Sequence, residues 1–287
     1  MSELHTYELG ELRVTKITEQ VFDSLTVGQL YPDATPDSIA MLDSDPALTM
    51  DSPAVMSIHS WLIETPDHRM LIDTASGNRK NRPFSNVFHQ LHTPWLEILQ
   101  GSGMRPADID FVLHTHLHVD HVGWNTVWDG ERWVPTFHNA VHICSKAELD
   151  FYASPESAPR AMVFEDSIRP VQESGQLRVI SDHGQEVLPG VRFLPTPGHS
   201  RGHMSISIKA GNEVALFCGD VMHTPIQVAR PAWNSRFCEQ QAAARESRKK
   251  LLDHASTLRA TVFTSHFAES SVGRVAELGE HYSWTFL

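Results

Sequence analysis

Cysteine is scarce in this chain. Cys144, Cys218 and Cys238 are the only three, odd in number and far apart, which argues against a disulfide framework and suits reduced thiols in a cytoplasmic protein. Long apolar runs are absent too, and no stretch approaches the roughly 18 residues that span a bilayer. The amino terminus, Met1-Ser2-Glu3-Leu4-His5, has neither the basic nor the apolar segment of a secretory signal. Basic residues are outnumbered: 23 Lys and Arg against 35 Asp and Glu give a formal net charge of −12, which argues against a nucleic-acid partner. Two bound divalent cations would reduce the charge to −8 (−12 + 4), so a neutral or cationic small molecule is easier to accommodate than a polyanion. The excess charge also serves solubility. With 41% hydrophobic and 20% charged residues and no low-complexity tract, residues 1–287 read as one soluble globular domain.

Histidine is plentiful, at 18 residues. The run His114-Thr115-His116-Leu117-His118-Val119-Asp120-His121 places four metal-ligand side chains within six residues. Folding does not require such a cluster, because imidazoles and carboxylates make a poor apolar core. Neutral imidazole does suit zinc and its neighbours, and a carboxylate adds a harder ligand. His116 and His118 have the period-two spacing that lets extended side chains share a side. Asp120 and His121 then follow as the chain turns into an expected helix.

The run sits at the end of an expected strand, Ile109 to Leu113. Three other pieces occupy equivalent places after apolar strands: Pro197-Gly198-His199, Gly219-Asp220 and Ser265-His266. Strand ends present rigid side chains to a cleft. Further strands are expected at Glu11–Gln20, Met56–Thr65, Arg69–Asp73, Val141–Cys144, Val191–Leu194, Met204–Ile208, Val214–Cys218 and Thr261–Thr264. Helices are expected around Trp95–Leu99 and over Gln240–Ala255. Met70-Leu71-Ile72-Asp73 and Leu216-Phe217-Cys218-Gly219-Asp220 echo each other as apolar strands ending in aspartate. Residues 29–53, with four prolines and five aspartates, read as a surface arm or lid.

With these pieces assembled, the chain resembles the metallo-β-lactamase-fold hydrolase superfamily. The His-x-His-x-Asp-His signature stands intact as His116, His118, Asp120 and His121, and the later motifs follow in the family's order. The resemblance implies an αββα sandwich with two metal ions at one edge. His116, His118 and His199 would bind one ion, Asp120, His121 and His266 the other, and Asp220 would bridge them. Asp73 would orient a ligand histidine, although a strand-end turn aspartate accounts for it equally simply. Two ions roughly 3.5–4 Å apart can share a hydroxide that attacks a carbonyl or phosphoryl centre. Zinc is the default metal, and iron, manganese or cobalt also accept mixed His/Asp ligation.

Departures narrow the branch. The best-known secreted β-lactamases carry cysteine where this chain has Asp220, and flavin di-iron proteins carry an acid at the position of His118. Glyoxalase II enzymes need a carboxyl-terminal helical domain, but only 21 residues follow His266. Acyl-homoserine lactonases typically place tyrosine three residues beyond the bridging aspartate, where this chain has His223. The methyl parathion hydrolase-like branch is similar there. His223 is a candidate catalytic donor or a wall residue, and Trp124 and Trp233 are candidate pocket residues. Phe22, Trp61, Phe84 and Phe88 lie on segments that can form a lid. A small neutral ester or lactone is the expected substrate. Organophosphate or sulfate-ester hydrolysis is the alternative, and a catalytically weak metal-containing ligand sensor is an alternative of another class. Homodimerisation through the arm is a further expectation.

Overall fold

Strand Met56–Glu64 is buried along all but its last residue, which a strand achieves only when both faces of its sheet are covered. The computed structural model, which describes residues 4–42, 47–279 and 281–287, shows how. Two seven-stranded sheets stack face to face. The first runs Thr6–Leu9, Leu12–Phe22, Met56–Glu64, Arg69–Ile72, Phe111–Leu113, Val141–Ser145 and Leu177–Ile180 in spatial order. The second runs Glu186–Leu188, Val191–Pro195, Met204–Ala210, Glu213–Phe217, Thr261–Phe263, Val272–Leu278 and His281–Phe286.

Between the sheets lies an apolar core in which Trp61, Ile72, Leu113 and Ile143 meet Phe193, Ile206, Phe217 and Phe263. Helix Gln241–Leu258 covers the outer face of the second sheet through Leu251, Leu252 and Ala255. Trp95 and Leu99 of helix Trp95–Gly101 cover the first. The order helix, sheet, sheet, helix is the αββα sandwich that the sequence implied. It also explains the echo between the aspartates. Arg69–Ile72 pairs in parallel with Phe111–Leu113, and Glu213–Phe217 in parallel with Thr261–Phe263. Each parallel pair therefore ends in an aspartate on one strand and, three residues beyond its neighbour, a histidine: His116 in one sheet and His266 in the other.

Several elements differ from expectation. Leu177–Ile180 is an edge strand, and the residues after His266 supply two more strands of the second sheet. The helix expected after His121 is replaced by one tight turn, Gly123–Asn125. Backbone donors there are diverted to another loop, with Gly123 N–H bonding Ala75 O at 2.7 Å and Trp124 N–H bonding Thr74 O at 2.8 Å. A Cβ on Gly123 would lie 1.8 Å from Ser76 O, so only glycine permits this crossing.

The arm is packed rather than free. Its two short helices, Val27–Leu30 and Pro36–Ala40, bury Leu30, Tyr31 and Ile39 in a cluster with Ile226, Ala229 and Trp233. Residues 43–46 of the arm lie outside the described residues. The segment carrying Phe84 and Phe88 is anchored by a wholly buried guanidinium, since Arg82 donates two bonds of 2.7 Å to the carboxylate of Asp166. Removing one member of such a pair strands the other charge without solvent. Lys80 Nζ, 3.7 Å from the same carboxylate, keeps it partly paired, so Arg82→Ala should lose about 3 kcal/mol, read as a lower urea midpoint, and Arg82→Lys should recover part of it. An unchanged midpoint in Arg82→Ala would show that the pair does not hold this segment.

Candidate metal centre

The turn after Phe111–Leu113 is drawn inward by Asp73. Its carboxylate accepts from Thr115 N–H at 2.9 Å, Thr115 Oγ1–H at 2.7 Å and His121 Nδ1–H at 2.8 Å. Asp73 itself has a φ of 55°, a left-handed conformation that aspartate tolerates better than most residues. It is thus both the turn residue and the orienting carboxylate, two roles that its sequence position alone leaves undecided.

Three further rings are fixed at one nitrogen and presented by the other. His116 Nδ1 lies 3.0 Å from Thr115 Oγ1, and His266 Nδ1–H donates to Ser57 O at 3.0 Å. Both leave Nε2 inward, as His121 does. His118 is turned the other way, with Nδ1 2.9 Å from His199 Nε2 and Nε2 3.9 Å from Glu239 Oε1. Asp220 lies at the centre. Its carboxylate oxygens are 2.9 Å from His266 Nε2, 3.2 Å from His121 Nε2, 3.3 Å from His199 Nε2 and 3.9 Å from His116 Nε2. Asp120 Oδ2 lies 3.7 Å from His266 Nε2 and 3.9 Å from His121 Nε2.

Whether these residues fit metal can be judged from their unsatisfied atoms. Nε2 of His116, Nε2 of His121 and Oδ1 of Asp220 are buried and make no aligned hydrogen bond, although buried polar atoms normally find one. Overlapping groups of ligand atoms within 4.8 Å of one another are His116/His118/His199, His116/His121/Asp220, Asp120/His121/His266 and His199/Asp220/His223. Imidazole nitrogens and carboxylate oxygens with idle lone pairs, converging from four loops, are a divalent-metal donor set.

The electrostatics agree. Burial, reinforced by neighbouring imidazoles, pushes His116 and His199 well below the ordinary imidazole range, so both stay neutral, as metal ligation requires. Burial also opposes charge on His121 and His266, but the carboxylates facing them outweigh it and raise both, His121 well above the usual value. Asp220 is held well below the usual carboxylate range despite its burial, because His266, His121, His199 and His116 surround it.

The centre floors a cavity of about 400 Å³. His118, Asp120, His199, Asp220, His223 and His266 line it, and Phe22, Phe84, Phe88 and Phe237 give it apolar walls. Trp124 and Trp233 are not among its lining residues, contrary to expectation. Trp124 stacks on Trp95 at 5.5 Å beneath the first sheet and donates its indole N–H to Glu19 at 2.7 Å. Trp233 packs in the arm cluster beside Tyr31, 6.2 Å away. Trp61 lies between the sheets, not in a lid. None of the described residues of 29–53 lines the cavity; the nearby wall comes from Phe22, Ser24 and Leu25.

Glu239, Arg160, Arg236 and His203 were not singled out from the sequence. His203 Nε2 accepts from the backbone N–H of Asp220 at 2.9 Å, holding the central carboxylate's main chain. No local pattern marks it, because its partner lies 17 residues away on another loop.

Comparison with known proteins places this arrangement in a class. A solved structure of "hydrolase AbOPH in beta lactamase superfamily" is 22% identical with a TM-score of 0.84, covering 100% of this chain and 98% of that one. "AidC, a dizinc quorum-quenching lactonase" is 23% identical with a TM-score of 0.82, covering 99% and 97%. Both share the fold. The metallo-β-lactamase superfamily model matches residues 54–266, and the chain belongs to that superfamily, whose hydrolases bind divalent metals. It is also 28% identical to an N-acyl homoserine lactonase of Bacillus cereus over 199 residues, 64% of this chain and 72% of that protein.

Carboxylates that orient a metal-ligating histidine typically contribute about 10–100-fold in metal affinity. Asp73→Asn should weaken zinc binding by about that factor in competition with a chromophoric chelator, with the fold retained by circular dichroism. Unchanged affinity would remove Asp73 from the site.

Proposed function

We propose that this protein is a dinuclear metal-dependent hydrolase of small esters or lactones. The observation that carries the reading is the convergence of His116, His118, Asp120, His121, His199, Asp220 and His266 ligand atoms at the floor of an aromatic-walled cavity that His118, Asp120, His199, Asp220 and His266 line. His116, His118 and His199 would hold one ion, Asp120, His121 and His266 the second, and Asp220 both. Two divalent ions so held supply a water acidified to near-neutral pKa and polarise the substrate oxygen.

The remaining steps belong to side chains. Asp120 lines the cavity and is placed to accept a hydrogen bond from the attacking water and carry its proton. His223 is wholly buried, and burial pushes it down to about 3 despite the neighbouring Asp220, so it is neutral at pH 7. Its Nε2, 3.4 Å from Ser235 Oγ and 3.5 Å from Asp220 Oδ2, is the nitrogen that faces the centre, and as Nε2–H it can donate to the leaving oxygen. Phe237, whose ring is 5.8 Å from that of His223, shields this bond from water. Similarity to a lactonase supports a cyclic or linear ester over a phosphotriester.

Zinc is the proposed metal, and the buried free thiols of Cys144, Cys218 and Cys238 support a cytoplasmic setting. No helix among the described residues is long and apolar enough to cross a membrane. A homodimer remains part of the proposal, tested by light scattering at micromolar concentration.

Elemental analysis of protein purified without added metal should find about two ions per chain. A panel of aryl esters, lactones, phosphotriesters and sulfate esters should show ester or lactone turnover that a chelator abolishes and metal restores. Asp120→Asn should lower kcat by about a thousandfold in a folded chain. Tight ester binding without turnover by metal-loaded protein would instead make it a sensor.

A further inference from the structure

Apart from the groups assigned to the metal centre, the cavity wall carries two charged side chains among the described residues, Arg160 and Arg236, and no carboxylate. In a chain with 35 acidic and 23 basic residues, the local sign is the reverse of the global one.

The two arginines are not equivalent. Arg160 Nη1 lies 3.6 Å from Glu239 Oε1. That same oxygen lies 3.9 Å from His118 Nε2, and Glu239 Oε2 is 3.9 Å from Arg201 Nε. The charge of Arg160 is therefore shared within a network that reaches the metal centre. Arg236 has no acceptor, carboxylate or ring against its guanidinium among the described residues. Its backbone N–H is bonded to Leu30 O at 2.8 Å, so the main chain is fixed at the cavity wall that the residue lines. Arg236 directly precedes Phe237, the ring that packs beside His223. An exposed arginine ordinarily needs no partner. This one stands on the wall of the reaction cavity among phenylalanines, where its fork matches a carboxylate and little else competes for it.

We propose that the cavity accepts an ester or lactone bearing a carboxylate remote from the scissile bond. Arg236 binds that carboxylate and Arg160 adds to the attracting field; the proposal rests on the hydrolase reading above. It replaces the neutral substrate expected from net charge. Steering by a local positive wall acts within a Debye length, about 8 Å at physiological salt, so distant surface carboxylates do not cancel it.

The test compares phenyl hexanoate with monophenyl adipate, which share the scissile bond and chain length and differ in a terminal methyl or carboxylate. Zinc-loaded wild-type protein should favour monophenyl adipate by about tenfold in kcat/KM at low ionic strength, mainly through KM. The preference should shrink with added salt, fall to below about twofold in Arg236→Gln and be partly kept in Arg236→Lys. A wild-type preference for phenyl hexanoate, or an undiminished ratio in Arg236→Gln, overturns the proposal. Calorimetry with the corresponding amides, adipic acid monoanilide and hexananilide, reads the carboxylate site without turnover. Tighter binding of the monoanilide that Arg236→Gln removes supports the site even if neither ester is cleaved, an outcome that would count against the hydrolase reading alone. Equal binding of the two amides overturns the site whether or not either ester turns over.

Discussion

Asp220 is a carboxylate almost wholly removed from water, and much of the surrounding structure serves to make that tolerable. An isolated buried anion is so costly that it would take up a proton instead. Here five imidazoles converge on it, those of His116, His121, His199, His223 and His266, and its backbone N–H is received by a sixth, His203. The imidazoles are themselves restrained from behind, by Asp73 for His121, Thr115 for His116 and Ser57 O for His266. Each restraint consumes one ring nitrogen and leaves the other turned inward toward Asp220. The result is a rigid shell of lone pairs around a buried negative charge, which divalent cations would complete.

The double sheet makes this shell possible. Parallel pairing at the middle of each sheet sends two strand ends out side by side, and the sheets bring the two pairs together at one edge. Asp73 and the histidine run come from the first sheet, Asp220 and His266 from the second. The isolated bridge between Met56 and Phe267, with Ser57 N–H bonded to His266 O at 2.9 Å, ties the two ends directly. Neither sheet alone holds both halves of the ligand set. The inter-sheet core around Trp61 and Phe263, 5.1 Å apart, therefore supports the chemistry as well as the fold.

The cavity wall follows different rules. It is assembled from Phe22 at the end of one strand, Phe84 and Phe88 on a segment pinned by Arg82 to Asp166, and Arg236 and Phe237 on the loop after His223. The buried guanidinium of Arg248 holds that last region, bonding the carbonyls of Val221, Pro231 and Trp233. Such walls can change in size and charge while the floor stays fixed, the division expected when loops on a rigid scaffold carry specificity. A net charge of −12 is compatible with two arginines on the cavity wall because charge is spread over a surface, whereas recognition is local.

The sequence by itself determined what depends on near neighbours. Period-two spacing put His116 and His118 on one side, apolar runs of four or five residues set most strands, and the Ala-, Arg- and Leu-rich stretch from 240 made the long helix, which ends three residues later than expected. The central site residues were legible for the same reason, each lying just past a strand whose pattern announces its end. Only the tertiary structure decided which aromatics meet the cavity. Trp124 and Trp233 lie close to His121 and His223 in sequence, yet a hydrogen bond to Glu19, 105 residues away, turns one inward, and packing against Tyr31 turns the other aside. The roles of His203, Glu239 and Arg236 were equally hidden, because burial and long-range pairing are set by how the sheets and loops close on one another, and hydrophobic periodicity carries no record of that closure.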